Sequence, residues 1–293
     1  MLYLILKAQL GNQLFQIMNI ISLSKKYNTD YRILCDIDEK TIYENKKTYF
    51  NDFYLKLKNK LIKIEKSELS SKLTNNNNNI YKEENYEYNE IILNTEKDIY
   101  IEGFFQSYKY FQEYDDILYD ILDIRNRKSQ ICTVYNYIFN KKNIAIHFRF
   151  SDYLYLQNMH PIQTIKYFYN SINKLIEILN TNNDNILNYN ILFFCNECDN
   201  DIVNKYINRL NNIYNNKLNF IKINDSINEW NQMLMISLCD NIIISNSTFS
   251  WWGAYFSEKN TRVIYPKKWF GPFYKDNKID DLILNNWIGI EDI

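Results

Sequence analysis

The chain has no surplus of charge of either sign, no long apolar run, and few glycines, prolines, histidines or arginines. Its 34 basic and 35 acidic residues leave a formal charge of −1. There is thus no positive field to support a nucleic-acid partner. No stretch approaches the roughly 18 apolar residues needed to cross a bilayer. The opening LYLILKAQLGNQ is too short for a signal peptide and has no small-residue cleavage site. A soluble, cytoplasmic protein without a transmembrane segment is the expectation. The five cysteines are odd in number and scattered through apolar runs, which suits buried free thiols in a reducing compartment. Cys195 and Cys198 form a C-x-x-C, but no second pair completes a zinc site. Five Gly and three Pro, beside heavy use of Asn, Ile, Lys and Tyr, read as an AT-rich genome rather than as physics. With only two His and six Arg in the chain, one of each in the stretch IAIHFRFSDYL (144–154) is notable.

What is present suits one large domain or two compact ones: 293 residues, 46% apolar and 16% aromatic. LYLILK (2–7) reads as a strand, followed by a turn at Gly11 and a helix over 12–27. YRILCDI is a second strand, and 99–111 a strand, a glycine turn and a helix start. Residues 43–94 are polar and irregular, and the run Asn75–Asn79 at their centre reads as a solvated loop. From 143 onward the pattern is regular. Strands at 143–150, 190–195, 218–223, 241–245 and 262–266 alternate with helices, the first opened by Pro161. Strands apolar throughout and separated by helices imply a parallel sheet covered on both faces. The expectation is an α/β protein of two Rossmann-like domains facing a cleft, 1–142 and 143–293, the second doubly wound and nucleotide-binding.

Three polar clusters fall where strands give way to turns or helices, the place where open α/β sheets bind ligands. In the first, Gly11, Asn12 and Gln13 stand at a helix start, which presents free N–H groups to an anion; a plain turn capped by Asn12 is the simpler alternative. The second is Ser245, Asn246, Ser247, Thr248, Phe249 and Ser250, ahead of Trp251 and Trp252. Four hydroxyls exceed what one helix cap needs, and with helix N–H groups they can cradle a phosphate. The third is His147, Arg149 and Asp152. An arginine at a strand end can grip a phosphate bidentately, or can form a structural salt bridge with Asp152.

Together the clusters resemble the alpha-1,2-fucosyltransferases, glycosyltransferase family 11. LGNQLFQ (10–16), GFFQSYKYF (103–111), HFRFSDY (147–153), SNSTFSWWGAYF (245–256) and YPKKWF (265–270) follow the family's motifs in order. The resemblance implies a GT-B-like fold and an inverting, metal-independent transfer of L-fucose from GDP-fucose to a glycan hydroxyl. It needs no cofactor beyond the nucleotide sugar. Such chemistry builds negative charge on the leaving diphosphate, which fixed donors stabilise. Arg149 is then the diphosphate ligand, supported by Asn12, Ser247, Thr248 and the amides of the following helix. His147 lies near the nucleotide, and Asp152 orients Arg149 or serves as the base that inversion requires. The pairs Asp36/Asp38 and Asp199/Asp201 fit a short D-x-D metal pattern, one expected by chance in a chain so rich in Asp and Asn.

Two positions depart from the family. Its second arginine is Phe150 here. The acidic residue it commonly carries sixteen positions before Thr248 is Gln232, with Glu229 three residues earlier. Guanine offers two adjacent N–H donors that a carboxylate accepts as a pair, whereas an amide with one donor and one acceptor suits uracil or thymine equally. The expected donor is therefore GDP-fucose, with a UDP- or dTDP-linked 6-deoxy sugar such as L-rhamnose as the alternative. An inactive glycan- or nucleotide-binding homologue is the reading from a different class. Nothing in the sequence sets the acceptor or the oligomeric state.

Overall fold

The computed structural model describes residues 1–74 and 79–292. It comprises two compact units, Met1–Arg125 with Asn277–Leu284, and Asn126–Asp276 with Asn285–Ile293. Relative to a division at 142/143, the helical segment 126–139 groups with the second unit, and a short C-terminal segment returns to the first.

The first unit holds β1 (Leu2–Ile5), β2 (Tyr31–Cys35), β3 (Leu61–Lys63), β4 (Asn79–Lys82) and β5 (Ile99–Glu102). All pair in parallel, in the order β3-β2-β1-β5-β4. Between the strands lie α1 (Leu10–Lys26) and α2 (Lys66–Thr74); α3 (Asp115–Ile121) follows β5, and α4 (Ile124–Val134) and α5 (Asn136–Phe139) come after the chain leaves the sheet. Helix α1 is buried almost all round, so its apolar residues read as continuous rather than as one stripe. The turn ahead of it is not made at Gly11. Ala8 takes the left-handed conformation (φ 58°), Gln9 is the N-cap, and Gly11 lies inside the first helical turn. Asn12 is therefore not the cap.

The region expected to be irregular contains β3, α2 and β4. These strands are three or four residues long, edge-lying and half-exposed, so they show no apolar run to mark them. Of the asparagine run, Asn79 opens β4 and the rest lies outside the described residues.

The second unit holds β6 (Lys142–His147), β7 (Tyr189–Phe194), β8 (Asn219–Lys222), β9 (Asn241–Ile243), β10 (Arg262–Pro266) and β11 (Ile288–Ile290). The order is β11-β10-β9-β6-β7-β8, again all parallel. Counted from β6, this is the 3-2-1-4-5-6 order of doubly wound nucleotide-binding sheets. Its helices are α6 (Ile165–Thr181), α7 (Asn200–Ile213), α8 (Glu229–Ser237) and α9 (Thr248–Tyr255). Phe168, Ile172, Leu175 and Leu179 of α6 and Val203, Ile207 and Leu210 of α7 pack on Ile144, Ile146, Ile191 and Phe193 of the sheet. Ala145, Leu192 and Ile242, which alternate with these, are buried as well. That two-sided burial makes these strands apolar throughout.

Helix α6 starts four residues later than Pro161. Thr164 caps it by accepting from Lys166 N, while the Pro161 carbonyl accepts from Asn246 Nδ2 at 2.9 Å. Strand β11, in the short IGI segment, is an edge strand the sequence reading passed over.

Candidate functional site

In the second sheet the strand order reverses between β6 and β9, and beyond their carboxyl ends a doubly wound sheet has its ligand crevice. There Nδ1 of His147 lies 2.8 Å from Oγ of Ser245. His147 is buried and its ring packs against Phe249 at 5.3 Å. Burial first, and the Arg149 charge second, push its pKa down to about 3. The ring is thus neutral at physiological pH, a hydrogen-bonding group rather than a cation.

Two residues on, Arg149 is held from both sides. Nη2 donates to Asp152 Oδ1 at 2.6 Å, and the guanidinium carbon lies 5.1 Å from the centre of the Tyr153 ring. Its side chain is only 13% exposed, and Nε is buried with no partner among the described residues. An unpaired buried donor on a cation is costly, so this arginine is built for an anionic partner. Tyr153 is fixed in turn: its hydroxyl donates to the Asn246 carbonyl at 3.1 Å and its ring stacks on His160 at 5.0 Å. Phe270 and Tyr274 close in on His160 from the other loop. Burial lowers the His160 pKa.

The loop after β9 is mostly internal scaffolding. Asn246 Nδ2 donates to the carbonyls of Pro161 and Trp269, both at 2.9 Å, and Ser250 Oγ donates to the carbonyls of Ser245 and Ser247. Ser247 is the N-cap residue of α9, yet its hydroxyl makes no cap bond. Among the described residues the hydroxyls of Ser247 and Thr248 have no hydrogen-bond partner, at a helix start whose N–H groups favour an anion. Trp251 and Trp252 are fully buried wall residues.

Phe150, where the family's second arginine would stand, is buried in the core against Tyr206 at 5.1 Å. Asp199, of the Asp199/Asp201 pair, is buried and accepts from Phe150 N, Ser151 N and Ser151 Oγ. On α8, Gln232 donates Nε2 to the Ile227 carbonyl at 2.8 Å. Its oxygen and the second Nε2 proton remain to meet a ligand, so the amide still presents an acceptor and a donor. Glu229 opens that helix and is exposed.

The first unit has polar groups at the corresponding reversal, between β1 and β5. Lys7, just past β1, pairs with Glu102 at the end of β5. Asn12 Oδ1 accepts from Gln106 Nε2 at 3.1 Å. The two glutamines of LGNQLFQ are committed to the backbone. Gln13 Nε2 donates to the carbonyls of Ala8 and Lys47, and Gln16 both donates to and accepts from the Lys7 peptide. Asn12 is accordingly the polar side chain of that motif that is half-exposed.

Of the residues singled out in the sequence, the structure gathers His147, Arg149, Asp152, Ser245 and Asn246 into one network. Ser247, Thr248, Phe249 and Ser250 continue from it, Gln232 stands on the next helix, and Gly11, Asn12 and Gln13 belong to the other unit. Sequence reasoning passed over Tyr153, His160 and Gln106. Scarcity was the available signal for His160: it is the only histidine besides His147.

Two parallel sheets of this order define a GT-B-type glycosyltransferase fold. The chain aligns over 99% of its length, and 89% of the other's, with E. coli ADP-heptose lps heptosyltransferase II, at 10% identity and a TM-score of 0.50. More narrowly, it belongs to glycosyl transferase family 11, whose profile matches residues 1–291. Among curated proteins it is 25% identical over 186 residues to the O-antigen biosynthesis glycosyltransferase WbnK of Escherichia coli, covering 61% of this chain and 53% of that one. It is 28% identical over 173 residues to an alpha-1,2-colitosyltransferase of the same species, covering 57% and 55%. The chain thus spans about half the length of the curated relatives it matches. Among the described residues no helix is long and apolar enough to cross a membrane.

Proposed function

We propose that this protein is an inverting, metal-independent glycosyltransferase that moves L-fucose from GDP-fucose to a hydroxyl of a glycan acceptor. The observation that carries the reading is Arg149: a nearly buried guanidinium at the reversal of a doubly wound sheet, oriented by Asp152 and Tyr153, with one donor left unpaired. A departing diphosphate supplies the anion such a group requires. Its charge grows as the glycosidic bond breaks, so donors fixed beforehand favour the transition state over the bound sugar nucleotide. The Ser247 and Thr248 hydroxyls and the α9 amides add uncharged donors to the same anion, and neutral His147 adds a ring nitrogen without adding charge. Asp152 acts by orienting Arg149; the 2.6 Å bond supports that role over the role of base.

Gln232 bears on the nucleobase. Its amide keeps an acceptor and one N–H, so uracil or thymine fits as well as guanine. The bond to the Ile227 carbonyl uses one of the two Nε2 protons, and guanine N1–H or N2–H would meet the oxygen. The preference for guanosine is therefore carried from the family resemblance, with a uridine or thymidine donor as the alternative. A second reading keeps the same machinery with another deoxy sugar, since one relative is named an alpha-1,2-colitosyltransferase. The α-1,2 linkage and the glycan acceptor are carried from the family.

Thermal-shift titration with GDP, UDP and dTDP tests the donor. Stabilisation by GDP well beyond that by UDP or dTDP is expected; stabilisation by UDP alone overturns the guanine reading.

A further inference from the structure

Asp199 raises a question that neither a metal pair nor a helix cap answers. It is a carboxylate 2% exposed, at the exit of β7, and no ion pair among the described residues includes it. Each oxygen is nonetheless occupied. Oδ1 accepts from Ser151 N at 2.7 Å, and Oδ2 accepts from Ser151 Oγ at 2.8 Å and Phe150 N at 3.2 Å. Helix α7 begins at the next residue but takes no side-chain cap bond from it. A buried carboxylate without a cation is an expensive way to hold a turn, and a neutral residue would do it with less desolvation.

The reason lies in the turn being held. Strand β6 runs on past its last ladder residue as far as Phe148, whose N–H still reaches Phe194 O at 2.8 Å. Then the chain reverses. Phe150 has φ −122° and ψ −78°, and Ser151 is left-handed at φ 29°, a sparsely populated conformation for a residue with a side chain. The two N–H groups that this reversal removes from the sheet are the two Asp199 accepts. Arg149 immediately precedes the reversal, and both groups that orient it, Asp152 and Tyr153, immediately follow. Among the described residues no hydrogen bond or ion pair joins Asp199 to the guanidinium.

We infer that Asp199 is a positioning residue: it clamps the 150–151 reversal and so sets the aim of Arg149, affecting diphosphate binding only through that arginine. This rests on Arg149 being the diphosphate ligand. An Asp199→Asn side chain keeps one acceptor but turns an amide toward donors, so the reversal loses its clamp with almost no change in volume.

The test is a double-mutant cycle read by calorimetric titration with inorganic pyrophosphate, using the full chain as wild type, Arg149→Ala, Asp199→Asn and the double variant. Asp199→Asn should weaken pyrophosphate about tenfold or more, yet add nothing once Arg149 is gone. Ser151→Ala deletes one of the four bonds to the carboxylate, with the Asn196 bond to the same hydroxyl, and leaves the carboxylate itself in place. It should weaken pyrophosphate in the same Arg149-dependent way, and it carries the test if Asp199→Asn does not fold. Wild-type affinity in Asp199→Asn, or an equal further loss in the Arg149→Ala background, overturns the inference while leaving the diphosphate reading intact. Pyrophosphate binding that is indifferent to Arg149→Ala removes the diphosphate reading, and this inference with it.

Discussion

Nδ1 of His147 and Oγ of Ser245 meet at 2.8 Å although 98 residues separate them in sequence. The contact joins the carboxyl end of β6 to the exit of β9, where the second sheet reverses its strand order. Its position explains why a histidine and a serine can be buried there: each satisfies the other.

The buried ring makes stability depend on acid. The His147 pKa is near 3 in the folded chain and about 6.5 when unfolded. Between those values the unfolded state binds a proton that the folded state refuses, so stability is complete above about pH 6.5 and falls as pH is lowered. The slope from this group is about 1.4 kcal/mol per pH unit. His160, also lowered by burial, acts with the same sign. Denaturant midpoints measured from pH 7 to pH 4 should fall, and His147→Gln should flatten the fall.

Arg149→Lys should fail nearly as badly as Arg149→Ala. A lysine keeps the charge but lacks the planar fork that Asp152 and Tyr153 now orient. Losing one fixed donor to a developing anion costs about 100- to 1000-fold in kcat, and steady-state kinetics with the donor should show it. Activity of the lysine variant within a few-fold of wild type would mean that charge alone suffices.

Gln16 should matter for stability. Its amide pairs with both the N–H and the C=O of Lys7 and also donates to Asn12 O. Gln16→Leu strands those buried groups, a loss of about 1–3 kcal/mol. Chemical denaturation should register the loss as a lowered midpoint.

Gly271 is required by close approach. A Cβ there would come within 2.5 Å of the Asn158 carbonyl group and of the Gln157 carbonyl oxygen. Gly271 N also donates to Met159 O, and Phe273 N to Asn158 O. Gly271→Ala should push the two loops apart, loosen Phe270 and Tyr274 from His160, and lower the melting temperature by several degrees.

Much of the second unit could be read from its residues. Strands such as NILFFC are apolar because both faces are covered, and the polar cluster at 147–152 stands out against them. The first unit was harder to read because β3 and β4 are short, half-exposed edge strands. Turn chemistry also misled: the left-handed residue before α1 is Ala8, which no composition rule marks, and the glycine three residues on is merely helical. Site residues announced by a strand end were legible. Asp199 and His160 act through turns that only the folded chain brings together, so their roles were not.

The central claim is that the crevice carrying Arg149 releases a guanosine diphosphate as it transfers fucose. It is tested most directly by following nucleotide release from GDP-fucose, UDP-sugars and dTDP-sugars by the wild type and by Arg149→Ala. The account predicts enzyme-dependent release of GDP from GDP-fucose and its loss in Arg149→Ala. Release from a UDP- or dTDP-sugar alone, or release undiminished without Arg149, would contradict it.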